Sequence, residues 1–351
     1  MSLNFIKHSI YYLLKILNRN NNRISFLCLF QASMHDHHHP HGPKRSYIKD
    51  LSIMLSAYVV AFACTYLAYP YVKDQTADLF WQAVILDILA TTVVFVFSFA
   101  FGNSSIYDPY WAPVAFVLAI FWVWVSGQDP LSVKQLLVLI PLGVYQFRHL
   151  YLYFIHWTGL DYEDFRYRRI KRRLQNYLWL YWIVSYVALH IIPTVMIILA
   201  MIPAYNITQA TKITNVYVYY FGVAFALGSV LLEHIADTQL TNWRRRPNKT
   251  GEFIDEGLWK YSRHPNYLAE ILFWVGYYIM DLGTNSVWNW TWVGPLSIFL
   301  LFVLGTIPMM EAHLLERKPT YVIQQKRVSQ LFFWFRNENA IEEHRNLLQH
   351  K

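Results

Sequence analysis

The chain has 351 residues, of which 55% are hydrophobic, 18% aromatic and only 15% charged. A soluble domain carries closer to a quarter charged residues, so this balance excludes an ordinary soluble enzyme and points to a polytopic membrane protein. The net charge of +8 lies in short basic loops between apolar runs, which argues against nucleic acid as the partner; Cys28 and Cys64 have no CxxC spacing and exclude a disulfide framework.

Residues 1–50 read as a basic, His-rich extension on the cytoplasmic side without fixed structure. Its apolar run 5–17 is too short to span a bilayer. The His-rich tract His35–His41 reads as a polar tail rather than a metal site, because Pro40 and Gly42 break any regular ligand spacing.

Eight apolar stretches follow, at 51–72, 79–101, 110–126, 136–157, 177–202, 216–236, 267–282 and 290–310. Each approaches the ~20 residues a spanning helix needs. The expected fold is therefore all-α, a membrane bundle of about eight helices over 51–336, followed by a polar tail at 337–351. Arg and Lys concentrate at 44–49, 166–173, 244–263 and 317–336, and an even number of spans puts all four segments on one side. The positive-inside bias makes that side cytoplasmic, with both termini. The sequons at Asn206 and Asn289 then face the other way.

Ionisable residues inside apolar spans are costly and mark candidate chemistry. Asp87, His156, His190 and Asp281 are isolated and read as locally satisfied. After the second span, Ile106–Pro113 reads IYDPYWAP, a turn rich in hydroxyls. Asp108 there reads either as an acid in the site or, more usually, as the cap of the third helix. The fourth span carries Arg148 and His149, and Arg148 needs an acidic partner or a phosphate. Residues 161–167 follow as DYEDFRY. Glu233, Asp237 and Arg244 share one face of the sixth helix and its extension, at i, i+4 and i+11.

The densest motif is GLWKYSRHPNYLAE at 257–270. Gly257 permits a turn, and Pro265 suits the first turn of the seventh helix. Asn266 and Glu270 then share a face, with Lys260, Arg263, His264 and Tyr267 about its start. Such a helix N-terminus suits an anionic group, a diphosphate or a 2′-phosphate. His313 and Glu316 lack a second His at helical spacing, so no metal is expected. No G-x-G-x-x-G or P-loop motif is present, and any nucleotide must be held by the helices themselves.

With these residues in view, the chain resembles the steroid 5-alpha-reductase-like membrane enzymes over roughly 107–334. GLWKYSRHPNYLAE is the family's signature. IYDPYWAP, EDFRY at 163–167, EHIADTQL at 233–240 and ERKPTY at 316–321 resemble an uncharacterised branch of that superfamily. The resemblance implies an NADPH-dependent reductase acting on a conjugated C=C of a steroid-like or other lipid substrate, in the endoplasmic reticulum or another intracellular membrane. It implies that Arg148, Asp237, Arg244, Asn266 and Glu270 bind the cofactor, with Lys260, Arg263, His264 and Tyr267 beside them. Tyr107, Tyr110 and Tyr145 are the candidates for the substrate end. There are departures: Gly251 and Tyr145 stand where the family has a Tyr and an Asn, and its N-terminal Gln-Glu pair has no counterpart. Sterol reductases share R-H-P-N-Y-L, and isoprenylcysteine carboxyl methyltransferases share R-H-P-x-Y. A methyltransferase using S-adenosylmethionine is thus the second expectation, and a transporter or structural membrane protein the third.

Overall fold

The computed structural model describes residues 47–130, 132–246, 253–285, 289–337 and 339. The His35–His41 tract, most of the N-terminal extension, Gly251 and the tail beyond 339 lie outside them. Among the described residues the chain is helical with no strand. The helices are α1 Tyr47–Gln75, α2 Leu79–Phe101, α3 Asp108–Val125, α4 Val133–His156, α5 Phe165–Arg173 and α6 Gln175–Ala200. They continue as α7 Ile202–Gln209, α8 Val216–Arg245, α9 Pro265–Asn285, α10 Trp290–Arg317 and α11 Tyr321–Arg327.

Five of these, α1, α2, α6, α8 and α10, are long and apolar enough to cross a membrane. A sixth is counted if α3 and the short turn before it, bent by 46° between Trp111 and Pro113, form one span. The remaining two of the eight expected, α4 and α9, have 24 and 21 residues but are more polar. At ~1.5 Å per residue both still reach about 30 Å.

The hydrogen bonds sort the helix ends into two groups. At one end, Leu160 N–H donates to Asp50 at 2.9 Å, and the Asn103 amide donates to the Leu160 and Tyr162 carbonyls at 2.8 Å. Arg169 pairs with Glu316, and Arg263 with Glu311, at this same end. At the other end, Gln128 donates to Thr208, Lys134 to Ala210, and the Tyr219 hydroxyl to Lys134. There the Thr214 N–H bonds the Gly283 carbonyl, and Thr291 bonds Asp281. Eight helices (α1 to α4, α6 and α8 to α10) therefore run between the two ends, in alternating directions.

The first described helix is already formed at Tyr47, four residues before its apolar run. Asp50 lies in its first turn, buried by its bond to the α4–α5 loop, so 47–50 belong to the bundle and not to the extension. Two wide turns interrupt the spans, at Ser185–Ile191 in α6 and Leu301–Thr306 in α10. Each precedes a proline, Pro193 or Pro308. Proline has no N–H for the carbonyl four residues back and its ring crowds it, and the widened turn relieves both.

Helices α8 and α9 pack along a line of glycines. A Cβ on Gly222 would lie 2.6 Å from Met280 N, one on Gly276 2.8 Å from Ala226 N, and one on Gly283 2.6 Å from Tyr219 N. Only glycine lets the two backbones approach this closely, the usual device for helix association in lipid. This pair brings the Glu233–Asp237–Arg244 face beside Asn266 and Glu270.

Candidate functional site

The site is framed first by two loops at the end that carries Arg263 and Glu311. Ser104 N–H donates to Glu163 at 2.9 Å, and Asp164 N–H donates to the Ser105 hydroxyl at 2.9 Å. Asp164 caps α5 and also grips Arg166 at 2.6 Å. The Tyr167 hydroxyl donates to Asp108 at 2.5 Å. Asp108 is thus not the cap of the third helix. It sits at the first helical position, after Tyr107, and ties α3 to α5. The DYEDFRY segment is therefore a strut between α2–α3 and α4–α6, with all four of Glu163, Asp164, Arg166 and Tyr167 buried. Arg166 holds its proton more tightly than a free guanidinium, because Asp164 outweighs the cost of burial.

Behind that frame lies a cavity of about 270 Å³. Its walls bring together Arg148 and His149 from α4, Glu233, Asp237 and Arg244 from α8, and Asn266 and Tyr267 from α9. Asp108 and Trp111 of α3 and Arg166 of α5 also line it. Arg148 is the centre of charge. Its Nη1 lies 2.9 Å from Glu233, and its Nη2 bonds Asp237. His149 Nε2 lies 3.4 Å from the same Glu233 oxygen. Arg148 Nε, Glu233 Oε2 and Asn266 Oδ1 are buried and have no hydrogen-bond partner among the described residues. Arg244, half-buried, also lines the wall. Buried polar atoms are nearly always paired, so this group has capacity for a polar ligand.

The 257–270 segment has two roles rather than one. Gly257 has φ +58°, and a Cβ there would stand 2.4 Å from Gln239 Oε1, whose oxygen accepts from Leu258 N–H. The Trp259 indole N–H donates to the Ala236 carbonyl at 2.9 Å. The segment is thereby pinned onto α8 before Pro265 opens α9 as expected. Arg263, expected at a phosphate, is committed elsewhere. It donates to Glu311 at 2.7 and 3.3 Å and to the Gln325 and Val328 carbonyls at 2.6 and 2.8 Å. His264 Nε2 meets Glu311 at 3.0 Å and stacks on Tyr267, ring centroids 5.2 Å apart. Burial holds the His264 pKa below its ordinary value against the pull of Glu311, so Arg263 and Glu311 form the ion pair and neutral His264 donates to it. Lys260 is outside the cavity wall, its ammonium 5.7 Å from the Tyr261 ring. Arg263 and His264 are therefore a clamp between α9, α10 and α11 at the cavity's edge, and neither they nor Lys260 are placed to neutralise a phosphate.

Glu270 lies one turn deeper than Asn266 and does not line the cavity. It accepts from the Tyr145 hydroxyl at 2.9 Å, and the Tyr145 ring stacks on Phe273 at 4.2 Å. Tyr145 is therefore a support for Glu270. Tyr107, just before α3, and Tyr110 on it are buried, their ring centroids 5.6 Å apart. Tyr110 donates to Asp87 at 2.7 Å, and Tyr107 shares a hydrogen bond with Thr194 at 2.8 Å. Asp87, set aside in the sequence, is thus the partner of a candidate site residue. The signal was present: an acid in the middle of an apolar span. Glu311, the hub of the clamp, had no such signal. Asp281 is satisfied as expected, accepting from Asn206, Asn289 and Thr291.

One atom each from His149, Glu233 and Glu270 lie within 4.8 Å of one another, a spacing that suits a metal ion. The Arg148 guanidinium already stands against Glu233 and supplies the positive charge an ion would bring.

A family model described as "Protein of unknown function (DUF1295)" matches residues 94–328. An uncharacterized protein of Schizosaccharomyces pombe is 27% identical over 194 residues, covering 48% of this chain and 54% of that protein. The chain spans about half the length of this curated relative. No solved structure matches.

Proposed function

The chain belongs to the DUF1295 family, and we propose that it is a membrane-embedded, NADPH-dependent reductase of a C=C bond in a steroid-like or other lipid substrate. One observation carries this reading. Three helices bring Arg148, Glu233, Asp237, Arg244 and Asn266 to one cavity within an otherwise apolar bundle, with buried hydrogen-bonding atoms left over. Polar groups at that depth are expensive and are kept for a ligand. With Arg263 committed to Glu311, four cationic side chains (Arg148, Arg166, Arg244 and Lys318) line the wall against Asp108, Glu233 and Asp237, a balance that suits a phosphorylated ligand.

The residues present fit NADPH. Arg244, at the mouth of the cavity, suits the 2′-phosphate. Asp237, Glu233 and Asn266 offer acceptors to ribose hydroxyls and carboxamide N–H groups, and the Asn266 amide and Arg148 Nε offer donors. When bound, NADPH supplies the hydride and both electrons of the reduction. An enone-like substrate would take that hydride at its β-carbon and one proton at its α-carbon. For this chain's part, Tyr107 and Tyr110 lie outside the cavity wall with their hydroxyls on Thr194 and Asp87, so neither is assigned to the substrate's carbonyl oxygen. Tyr145 holds Glu270 beneath the cofactor wall. We place the basic end of the bundle in the cytoplasm, where NADPH is available.

Thermal unfolding of the protein in lipid nanodiscs tests this. A ligand at 100 times its Kd stabilises by about 2.7 kcal/mol, so NADPH should raise the melting temperature measurably. Asn266→Ala should abolish the rise, and Arg244→Ala should weaken NADPH more than NADH. A rise with S-adenosylmethionine and none with NADPH would replace this reading by the methyltransferase. No response to either would favour a protein without a nucleotide cofactor.

A further inference from the structure

A second concavity lies on the outer side of Arg148. It is an open groove of about 530 Å³ between α4 and α8, lined by Gly143, Val144, Phe147, Leu227, Val230 and Leu231, with His234 and Arg148 at one end. On α4 the lining falls at 143–144 and 147–148, and on α8 at 227, 230–231 and 234. Both are the one-turn spacing of a single helix face. The two faces oppose each other across an open seam, whereas the α8–α9 contact is closed by glycines. The groove walls look outward into the apolar layer: Phe147 is 73% exposed and Leu231 58%.

Arg148 is the one described residue that lines both this groove and the cavity. The groove is almost wholly apolar and opens toward lipid, and at its one end Arg148, whose guanidinium is held by Glu233 and Asp237, separates it from the cavity. We propose that the α4–α8 seam is the entry and binding groove for the apolar body of the lipid substrate, with Arg148 as the partition between it and the cofactor. The inference rests on the reductase reading for its chemistry. Its geometry commits to an amphiphile dissolved in the bilayer: a water-soluble substrate has no route to a groove that faces lipid. A bulk lipid, the other occupant such a groove admits, has no need of a charged inner end shared with the cavity.

A 4-en-3-one steroid carrying a diazirine on its side chain provides the probe, photolysed with the protein in nanodiscs and mapped by mass spectrometry. Label is expected on peptides holding 143–148 and 227–234, and excess unlabelled steroid should compete it away. Val144→Trp and Leu231→Trp fill the groove and should lose that competable label. Val117→Trp, on the exposed side of α3 and away from the groove, should keep it. All three should retain the NADPH-induced rise in melting temperature, which reports that they fold. Competable label on other helices, label at the seam that resists competition, or label unchanged in the two filling variants overturns the entry groove. A rise with NADPH and no seam label overturns the groove alone. Competable seam label without any NADPH response keeps the seam as a lipid site and overturns the reductase reading instead.

Discussion

At the scale of single residues, Arg148 carries the largest consequence. It is the partner of two buried carboxylates, Glu233 and Asp237, inside an apolar bundle. Removing one member of such a group leaves charge uncompensated in a low-dielectric place, which costs about 3–5 kcal/mol, whereas neutralising the group as a whole costs far less. Arg148→Ala should therefore lower the melting temperature strongly. Arg148→Met combined with Glu233→Gln and Asp237→Asn should recover most of it while still failing to bind NADPH. If the single and triple variants melt alike, the ion group contributes nothing to stability. His264 gives the second residue-scale outcome. Its native pKa lies below the ordinary ~6.5, so the folded protein keeps it neutral while the unfolded chain takes up a proton. The unfolded state then binds more protons as pH falls below about 6.5, and stability declines with acidification by at most ~1.4 kcal/mol per pH unit. Melting curves between pH 7.5 and 5.5 should show the fall, and His264→Gln, which keeps a donor for Glu311, should remove its share. An unchanged slope in His264→Gln would place the acid sensitivity on another group.

At the scale of elements, the pairing of α8 with α9 decides whether the cavity exists. Gly276 sits with Ala226 backbone atoms 2.8–2.9 Å from where its Cβ would be, so even alanine must push the helices apart. Gly228, in the middle of α8, has nothing within 4 Å. Gly276→Ala should destabilise, and Gly228→Ala should stabilise by about 0.5–1 kcal/mol, the ordinary gain of alanine over glycine in a helix. Equal effects in thermal unfolding would mean that the close approach is not what holds the pair. The same elements show what the sequence could and could not reveal. The spans, the Pro265 start of α9 and the shared face of Glu233, Asp237 and Arg244 follow from local periodicity, and all were legible. What was not legible depends on which surfaces meet. Arg263 reads as a phosphate ligand by its position at a helix start, until Glu311, 48 residues away, takes its guanidinium. Asp108 reads as a cap until Tyr167 from the next loop reaches it. Asp87 reads as a stray acid until α3 lays Tyr110 on it. Each of these contacts lies between segments that no sequence period links.

For the whole molecule, hydropathy and packing give different span counts, and packing is the better guide to topology. The two helices that fail the hydropathy test, α4 and α9, are those that bring Arg148, His149, Asn266 and Glu270 to the site. Their polarity belongs to the site and not to a lack of membrane contact. If α9 did not cross, Arg263 at its start and Glu311 near the end of α10 would lie on opposite sides. Instead they form a bidentate ion pair. If α4 did not cross, Asn103 after α2 could not bond the 160–162 loop after α4. The contacts therefore run eight helices end to end, the arrangement of eight crossings, and collect Asp50, the 160–173 segment, Arg263 and the 317–328 segment at one end. Every strongly basic described segment is in that group, and from the positive-inside bias we propose that this end faces the cytoplasm. A single cysteine at Arg172, at Lys326 or at Lys212, in a background lacking Cys28 and Cys64, tests the assignment in sealed vesicles of cytoplasmic-side-out orientation. A membrane-impermeant maleimide should label the first two without detergent and the third only after detergent is added. Labelling of Arg172→Cys and Lys326→Cys in opposite senses would break the eight-crossing topology. The reverse pattern for all three would keep that topology and turn the cavity mouth away from the cytoplasmic NADPH pool.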